Sequence, residues 1–325
     1  MCHVYALLNQ KGGIGKTTAS FQIAAGLKRR GYKVLALDMD PQCNLTFTCG
    51  GDYQTKPTIY DAAFNNVNIK NTIQHLDEID LIPGSNNMSS LEAQITRDGR
   101  EYFLRDLIEP LKTYYDYIII DSPPALGLIT VSVMCAADSI IIPSILDMYS
   151  LQGIGQLNKT YNVVKTYCNP NLIIEGILIT KDSRSLKSLF KEVADNANIK
   201  VFETTIPSSP LFAHSAFEQQ SIFKYAPKSA PALQYDKFLT ELIKNKSVTV
   251  TNNDYHRKQD RIIKHDVIRK TLDSQTLEDI FNEYYQEGGN KQWIQNNKIR
   301  QWASYQNQQL IKCKLMLNLK KTILM

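Results

Sequence analysis

The stretch "NQKGGIGKTT", residues 9–18, lies close to the start of the 325-residue chain and looks like a phosphate-binding loop, yet it fails the usual pattern. That pattern is Gly-x-x-x-x-Gly-Lys-[Ser/Thr]. Residues 15–17 match its last three positions, but Gln10 stands where the first glycine belongs. A second lysine, Lys11, precedes the next two glycines. The missing glycine and the additional lysine both need an explanation.

The segments on either side of the loop favour a phosphate-binding function. "HVYALL" (3–8) is a short apolar run that predicts a buried parallel strand. The residues after the loop have apolar side chains at helical spacing, and Gly31 ends that helix. Strand, glycine loop, Gly-Lys-Thr-Thr and helix follow in the order that a phosphate loop requires. This order disfavours the alternative, a glycine-rich turn that binds nothing.

Each residue type in the loop has a chemical role. The glycines at positions 12, 13 and 15 let backbone N–H groups close around phosphates, where a Cβ would obstruct the approach. The helix that begins near Lys16 directs its positive end at the same place. We expect Lys16 to reach the β- and γ-phosphates and the Thr17 hydroxyl to ligate Mg²⁺. The loop therefore predicts a nucleoside triphosphate site.

Further apolar runs alternate with helical patterns along the chain. The expected strands after the first are "KVLALDMD" (33–40), "IDLIPG" (79–84), "DYIIIDSPP" (116–124), "DSIIIPS" (138–144) and "LIIEGILIT" (172–180), with helical patterns notably at 100–112 and 150–167. Such alternation predicts an α/β fold with a mostly parallel, twisted sheet and helices on both faces. Ligands of these sheets bind beyond the carboxyl ends of the strands.

Three aspartates fall at those strand ends. Asp121 closes the most apolar strand, where a nucleotide hydrolase needs a carboxylate to hold Mg²⁺ directly or through water. The alternative is a strand-end aspartate that caps a turn before Pro123. Asp38 and Asp40 end the neighbouring strand, and residues two apart on a strand point to the same side. For these two the alternative is a solvated turn before Pro41.

The composition indicates a globular protein of the cytoplasm. Hydrophobic residues make up 43% of the chain, and no stretch reaches the ~18 apolar residues of a membrane helix. The N-terminus has no basic region ahead of its apolar run, so no signal peptide is expected. The six cysteines are scattered without C-x-x-C spacing, which predicts buried free thiols in a reducing compartment rather than a metal site.

The positive charge is concentrated at the C-terminal end. Residues 1–246 hold 24 basic and 24 acidic side chains, and residues 247–325 hold 13 and 8, so the net charge of +5 lies in the last quarter. The periodicity also ends after Lys246. We therefore expect an ATPase-type domain at 1–246 and a basic extension at 247–325 that is helical or partly disordered. A solvated surface is one interpretation of this charge, and contact with an anionic partner is the other.

Three segments carry a more specific resemblance. "QKGGIGKTT", "LALDMDPQCN" and "YDYIIIDSPPALG" together resemble the ParA family of partition ATPases, which belongs to the deviant Walker A class of P-loop NTPases with MinD and the nitrogenase iron protein. The similarity runs over roughly residues 1–246. Because the chain begins directly at the first strand, it resembles the short, Soj-like members. Asp40-Pro41-Gln42 and Pro123-Pro124 favour ParA over MinD.

The resemblance explains the second lysine. In the family this lysine reaches across a dimer interface to the partner's phosphates, so Lys11 is implied to do so here. Gln10 need not be glycine, because the tight turn begins at Gly12. The resemblance further implies that Asp40 positions the attacking water and that Asp38 lies near Mg²⁺. The implied nucleotide-binding residues are Lys11, Gly12, Gly13, Ile14, Gly15, Lys16, Thr17, Thr18 and Pro207.

The implied function is ATP-driven partition of DNA. ATP and Mg²⁺ would drive formation of a homodimer that binds DNA without sequence preference in the nucleoid, and a centromere-binding, ParB-like protein would stimulate hydrolysis. The alternative is a ParA- or MinD-like ATPase that positions a protein assembly or a membrane site. Membrane binding is not favoured. The apolar residues at the C-terminal end would lie on all sides of a helix there, and a helix that binds a membrane surface has them on one face.

One departure from the family concerns the DNA-binding surface. ParA proteins carry arginines at the positions of Ser208 and Leu211, and those arginines contribute to non-specific DNA binding. Arg184 lies where the family often has an arginine, and Lys187 is nearby. These two residues are the candidate DNA contacts, with the basic extension as a competing surface.

Overall fold

The structure is a computed structural model that describes residues 2–90, 99–181 and 199–253. The chain divides after Thr249 into two units, and the description below concerns the first of them. The candidate DNA contacts Arg184 and Lys187 lie outside the described residues, as does the extension beyond residue 253.

A seven-stranded sheet forms the centre of the described unit, in the order β3-β4-β2-β5-β1-β6-β7. The strands are β1 His3–Leu7, β2 Val34–Asp38, β3 Gln74–His75, β4 Asp80–Ile82, β5 Tyr117–Asp121, β6 Ser139–Ser144 and β7 Ile173–Ile179. All pairs are parallel except β3 with β4. The predicted α/β fold class is confirmed, and only the two-residue edge strand β3 was not predicted.

Helices cover both faces of the sheet. The α-helices among the described residues are α1 Lys16–Arg29, α2 Asn44–Thr48, α3 Ile59–Phe64, α4 Phe103–Ile108, α5 Leu128–Ala136, α6 Met148–Tyr167, α7 Leu211–Phe217, α8 Ile222–Tyr225 and α9 Ala230–Asn253. Short 3₁₀ helices occur at Ile69–Thr72, Asn86–Ser90, Arg100–Tyr102 and Glu109–Leu111. The helix predicted over 100–112 is therefore divided. Pro110 has no N–H to continue an α-helical hydrogen-bond pattern, which accounts for the 3₁₀ turn there.

The alternation of side chains along the central strands builds two cores. Val4 and Ala6 of β1 pack into one core with helices α4, α5 and α6. Tyr5 and Leu7 pack into the other with α1 and α9. Because consecutive residues of a strand point to opposite faces, a strand buried on both sides needs a continuous apolar run, as β1 and β5 have. No helix among the described residues is long and apolar enough to cross a membrane.

Gly176 of β7 allows an irregularity in the pairing with β6. The register shifts between Ile140 and Ile141, and Gly176 has a φ of 154°. A Cβ added at Gly176 would lie 2.9 Å from the carbonyl oxygen of Lys200. This position therefore requires both the conformational freedom and the small size of glycine.

We expect Gly176→Ala to lower the free energy of unfolding by about 2–3 kcal/mol, because it combines backbone strain with a clash against main chain. Gly155 is the matched control, since it is exposed in α6 and an added Cβ there meets nothing within 4 Å. Gly155→Ala should raise stability by up to ~1 kcal/mol through helix propensity. Urea unfolding of the two variants measures both values, and equal effects would contradict this account of Gly176.

Candidate functional site

The candidate site lies at the carboxyl edge of the central strands. β5 is inserted between β1 and β2, and its last residue Asp121 pairs with Leu7 of β1 on one side and Asp38 of β2 on the other. Parallel strands end at the same edge, so the loop that leaves β1 and both strand-end aspartates are brought together. The residues predicted from separate motifs thus form one site.

The loop wraps tightly before α1. Gly13 and Gly15 have φ values of 71° and 91°, in the left-handed region that glycine adopts at low cost. A Cβ added at Gly12 or Gly13 would meet nothing within 4 Å, so space remains beside the loop backbone. α1 begins at Lys16 without a side-chain cap, which leaves its first N–H groups to face an anion. Thr17 and Thr18 follow in the first turn of α1.

The Lys16 side chain is enclosed by the loop. It is only 7% exposed, and its Nζ donates a hydrogen bond to the carbonyl oxygen of Lys11 at 3.1 Å. Burial lowers the pKa of Lys16, while the nearby carboxylates of Asp121 and Asp40 act in the opposite direction. The ammonium group is therefore held inside the loop, close to the carboxylates of Asp121 and Asp40.

Asp121 is fixed by two hydroxyl groups of α1. Thr17 Oγ1 donates to it at 2.7 Å and Ser20 Oγ at 2.9 Å. Burial, and then the charge of Asp38, raise the pKa of Asp121 to about 7. Both carboxylate oxygens of Asp121 therefore face α1, as the site hypothesis expects. Ser20 was not predicted from the sequence, although its spacing of three from Thr17 places both hydroxyls on one helix face.

Asp38 and Asp40 are buried, with 0% and 6% exposure, so the solvated-turn alternative is wrong. Asp38 accepts hydrogen bonds from the backbone N and Oγ1 of Thr46, at 2.9 and 2.7 Å, and from the backbone N of Asp40 at 3.1 Å. Burial raises the pKa of Asp38 to about 6. β2 spans Val34–Asp38, so the predicted strand at 33–40 extends one residue too far at its start and two at its end.

Thr46 is a further residue of the site that was not predicted from the sequence. Besides its two hydrogen bonds to Asp38, its Oγ1 accepts one from the backbone N of Gly84 at 2.9 Å. Gly84 follows β4, the strand next to β2, so Thr46 connects α2 to both strands. The Asp38 carboxylate is thus held by Thr46 and in turn accepts the backbone N–H of Asp40, which fixes the segment after β2.

Lys11 lies at the entrance of the loop and forms an ion pair with Asp147 of its own chain. Asp147 caps α6 by accepting a hydrogen bond from the backbone N of Ser150 at 2.7 Å. The backbone N of Lys11 donates to Asn9 Oδ1 at 3.2 Å, and Asn9 in turn donates to the carbonyl of Pro143. The loop is therefore joined to the segment between β6 and α6.

Residues after β7 hold the outer side of the loop. Thr180 Oγ1 donates to the carbonyl of Ile14 at 2.6 Å, and Lys181 Nζ donates to the carbonyl of Gly13 at 2.7 Å. Thr180 also forms a bridge with Ile206, which places Pro207 at the same edge. Neither Thr180 nor Lys181 was predicted. Ser208 follows Pro207, and Leu211 begins α7.

Comparison with known proteins agrees with this geometry. A family profile described as "AAA domain" matches residues 2–174. The chain is 36% identical to the chromosome partitioning protein ParA of Myxococcus xanthus over 248 residues, which cover 74% of this chain and 88% of that protein. It is 34% identical to the sporulation initiation inhibitor protein Soj of Bacillus subtilis over 252 residues, with coverage of 75% and 100%.

A solved structure has the same architecture. The cobyrinic acid a,c-diamide synthase from Mycobacterium smegmatis, solved with an ATP analogue and magnesium, has a TM-score of 0.69 and 30% identity to this chain. The match covers 77% of this chain and 97% of that one. With the loop, the strand-end aspartates and the extent of these similarities all in agreement, the chain belongs to the ParA and Soj family of P-loop ATPases, the deviant Walker A class.

Proposed function

We propose that this protein is a Mg²⁺-dependent ATPase that partitions DNA, forming a homodimer when it binds ATP. The observation that carries the proposal is the loop itself, in which a buried Lys16 and a second lysine, Lys11, flank glycines that leave open space. A nucleoside triphosphate needs this combination of cations and accessible backbone N–H groups.

The residues present fit ATP and Mg²⁺. The hydroxyl of Thr17 and the carboxylate of Asp121 lie 2.7 Å apart and provide the hard oxygen ligands that Mg²⁺ prefers. Among the described residues, no three His, Cys, Asp or Glu side chains form a metal cluster. Mg²⁺ uses one or two carboxylates with phosphates and water, so Asp121 together with the Thr17 hydroxyl suits that ion. Bound Mg²⁺ would neutralise charge on the β- and γ-phosphate oxygens.

Three residues of the chain have separate roles in the proposed hydrolysis. Lys16 holds the β- and γ-phosphates, and the glycine backbone surrounds them. Asp40 accepts a hydrogen bond from the attacking water and orients it. Lys11 leaves Asp147 and places its charge beside the phosphates of the facing subunit, as an arginine finger does in other NTPases. Hydrolysis would therefore require two ATP-loaded subunits.

The cargo of this cycle is proposed to be plasmid or chromosome DNA. Support comes from the Myxococcus relative, which is a chromosome partitioning protein, and from a similarity that extends over most of both chains. The proposed partner is a centromere-binding, ParB-like protein that stimulates hydrolysis, and the proposed location is the nucleoid within the cytoplasm.

Sedimentation with DNA and flotation with liposomes test this function. The full-length protein should pellet with non-specific duplex DNA in ATP and Mg²⁺ but not in ADP, and should not float with anionic vesicles. Lys16→Ala is the control variant, because it leaves the DNA-binding surface unchanged but should no longer respond to ATP. Nucleotide-independent pelleting would contradict the switch, and ATP-dependent flotation without pelleting would favour a membrane-positioning ATPase.

The DNA surface is proposed to include Arg184 and Lys187. Replacing both by alanine should weaken ATP-dependent DNA binding and flatten the slope of log affinity against log salt by about 0.9 for each DNA phosphate that the protein no longer neutralises. Removal of residues 247–325 is the competing variant, and ATPase activity without DNA is the control for both. If only the truncated protein shows weaker affinity and a flatter slope, the basic extension and not this pair binds DNA.

The Asp40→Ala protein should hydrolyse ATP about 100-fold more slowly or worse, the range typical of a missing proton-transfer group. Its ATP-bound dimer should persist, because Asp40 orients water and does not hold phosphate. Asp106→Ala is a control, since Asp106 is an exposed carboxylate of α4 that pairs only with its neighbour Arg105 among the described ion pairs. Size-exclusion chromatography in ATP and a phosphate-release assay measure both properties. A strictly monomeric Asp40→Ala protein would make Asp40 a structural residue.

A further inference from the structure

The carboxyl end of β7 contacts the phosphate loop through two consecutive residues. Thr180 is 4% exposed, and its Oγ1 donates to the carbonyl oxygen of Ile14 at 2.6 Å. Lys181 is exposed, and its Nζ donates to the carbonyl oxygen of Gly13 at 2.7 Å. The partners are 166 and 168 residues apart in the sequence, so both contacts depend on the fold. Two neighbouring peptide groups of the loop are therefore held from the side of β7.

These two hydrogen bonds determine the direction of two N–H groups of the loop. A trans peptide is planar, and its C=O and N–H bonds point in opposite directions. The carbonyl of Gly13 shares a peptide with the N–H of Ile14, and the carbonyl of Ile14 shares one with the N–H of Gly15. Since both carbonyls are bound on the side of β7, both N–H groups point away from it. Within the part of the chain that the structure describes, neither N–H donates to a protein acceptor.

The Thr180 hydroxyl is held in place by two strands. Thr180 directly follows β7, and its backbone N donates to the carbonyl of Ser144, the last residue of β6, at 2.8 Å. Its Oγ1 also lies 3.3 Å from that carbonyl oxygen. A hydroxyl has one proton to donate, and the shorter distance of 2.6 Å favours Ile14 as the acceptor. The loop is thereby fastened to the edge of the sheet.

Lys181 has a backbone conformation that lysine disfavours. Its φ is 51°, in the left-handed region, where a Cβ comes too close to the following carbonyl oxygen. Residues in such conformations persist where the surrounding structure imposes them, and they are frequent at functional sites. A turn alone would be made at lower cost by glycine or asparagine. A lysine here therefore indicates a role for its long side chain, whose ammonium group reaches Gly13.

We propose that Thr180 and Lys181 are positioning residues that preform the phosphate site, an inference that rests on the proposed binding of ATP. They bind the loop and not the nucleotide. They hold the N–H groups of Ile14 and Gly15 toward the phosphates before a nucleotide arrives, so less ordering of the loop remains for the binding step. Because the loop N–H groups surround phosphates that ATP and ADP share, both nucleotides should depend on these residues equally.

Substitutions at both positions test this role. Thr180→Val removes the donor and nearly keeps the shape, and Lys181→Asn keeps the left-handed backbone with a side chain too short to reach Gly13. Each should weaken the binding of ATP and of ADP about 5-fold, as expected for one hydrogen bond, and leave the ratio of the two affinities unchanged. Thr180→Ser and Lys181→Arg retain a donor and should bind both nucleotides nearly as the native protein does.

Calorimetric titration of the full-length protein with ADP and with a slowly hydrolysed ATP analogue measures these affinities, and thermal melting shows whether each variant is folded. Gln219→Asn is the matched control. Gln219 also has a positive φ, of 53°, and its side chain donates to a carbonyl outside the loop, that of Phe47, at 3.2 Å. This control should leave both affinities unchanged. Because Lys181 is exposed, Lys181→Asn tests the proposal even if Thr180→Val fails to fold.

The native protein is titrated first, and binding of neither nucleotide would refute the proposed function itself. If the native protein binds both, native affinities in either folded variant would show that the replaced residue does not position the loop. A Lys181→Asn protein that loses affinity for the ATP analogue but not for ADP would make Lys181 a ligand of the γ-phosphate instead. Equal losses in Gln219→Asn would show that the effect does not arise at the loop.

Discussion

The Lys16→Ala protein should no longer bind ATP appreciably, with affinity falling about 100-fold or more, as expected for the removal of charge-assisted hydrogen bonds of about 3 kcal/mol. The other two ammonium groups described beside the loop are held elsewhere, since Lys11 pairs with Asp147 at the entrance and Lys181 donates to the carbonyl of Gly13 on the outer side. Lys16 is also the cation that lies beside Asp121 and Asp40, so its removal leaves the carboxylates facing the incoming phosphates.

Lys28→Ala provides the matched control for this prediction. Lys28 lies at the other end of α1, where it forms an ion pair with Asp80 at 3.8 Å. Its replacement removes a lysine from the same helix but leaves the loop intact. Calorimetric titration with a slowly hydrolysed ATP analogue gives the affinities, and thermal melting shows whether each variant is folded. Micromolar affinity in a folded Lys16→Ala protein would refute the assignment of the loop.

Lys11→Ala should retain much of the ATP binding but abolish dimerisation and hydrolysis. The rate should fall by about 1,000-fold or more, as for the removal of an arginine finger. Asp147→Asn is the control, because asparagine still caps α6 but no longer holds Lys11 by charge. If the intrachain ion pair were the only purpose of Lys11, both variants would be equally impaired. A phosphate-release assay at saturating ATP distinguishes these cases.

A mixing experiment separates action across the dimer from action within a subunit. Lys11→Ala and Asp40→Ala proteins are each expected to be inactive alone. If Lys11 acts on the facing subunit, a dimer of two Lys11→Ala subunits lacks both cross-interface contacts, but a mixed dimer keeps one contact and with it one complete site. An equal mixture in which mixed dimers are detected by cross-linking then recovers at most about a quarter of the native rate. If Lys11 acts within its own subunit, neither site is complete and the mixture stays inactive.

Local patterns in the sequence were sufficient to predict the strands and the loop. Six short apolar runs, two of which have aspartates at their ends, were predicted as strands, and each became a strand of the sheet. The phosphate loop is equally local, because its glycines, Lys16 and the start of α1 are consecutive. Boundaries were less accurate where tertiary contacts intervene, as at β2, which ends at Asp38 when Asp40 turns its N–H toward that carboxylate.

The hydrogen bonds that position the site were decided by the tertiary structure. Ser20 meets Asp121 across 101 residues, and Thr180 meets Ile14 across 166. The periodicity of apolar residues cannot predict such hydrogen-bonded pairs, because the pairs depend on which strands become neighbours in the sheet. The insertion of β5 between β1 and β2 sets Asp121 against α1.

The burial of the aspartates at the end of β2 was also decided by the tertiary structure. From the sequence, Asp38 and Asp40 were compatible with a solvated turn as well as with a site. In the folded chain the sheet and α2 enclose them, and Thr46 supplies the donors that make a buried carboxylate tolerable. The sequence by itself determined the parts of the site and their order. Only the packing of strands and helices determined which polar groups are removed from water and which partners then satisfy them.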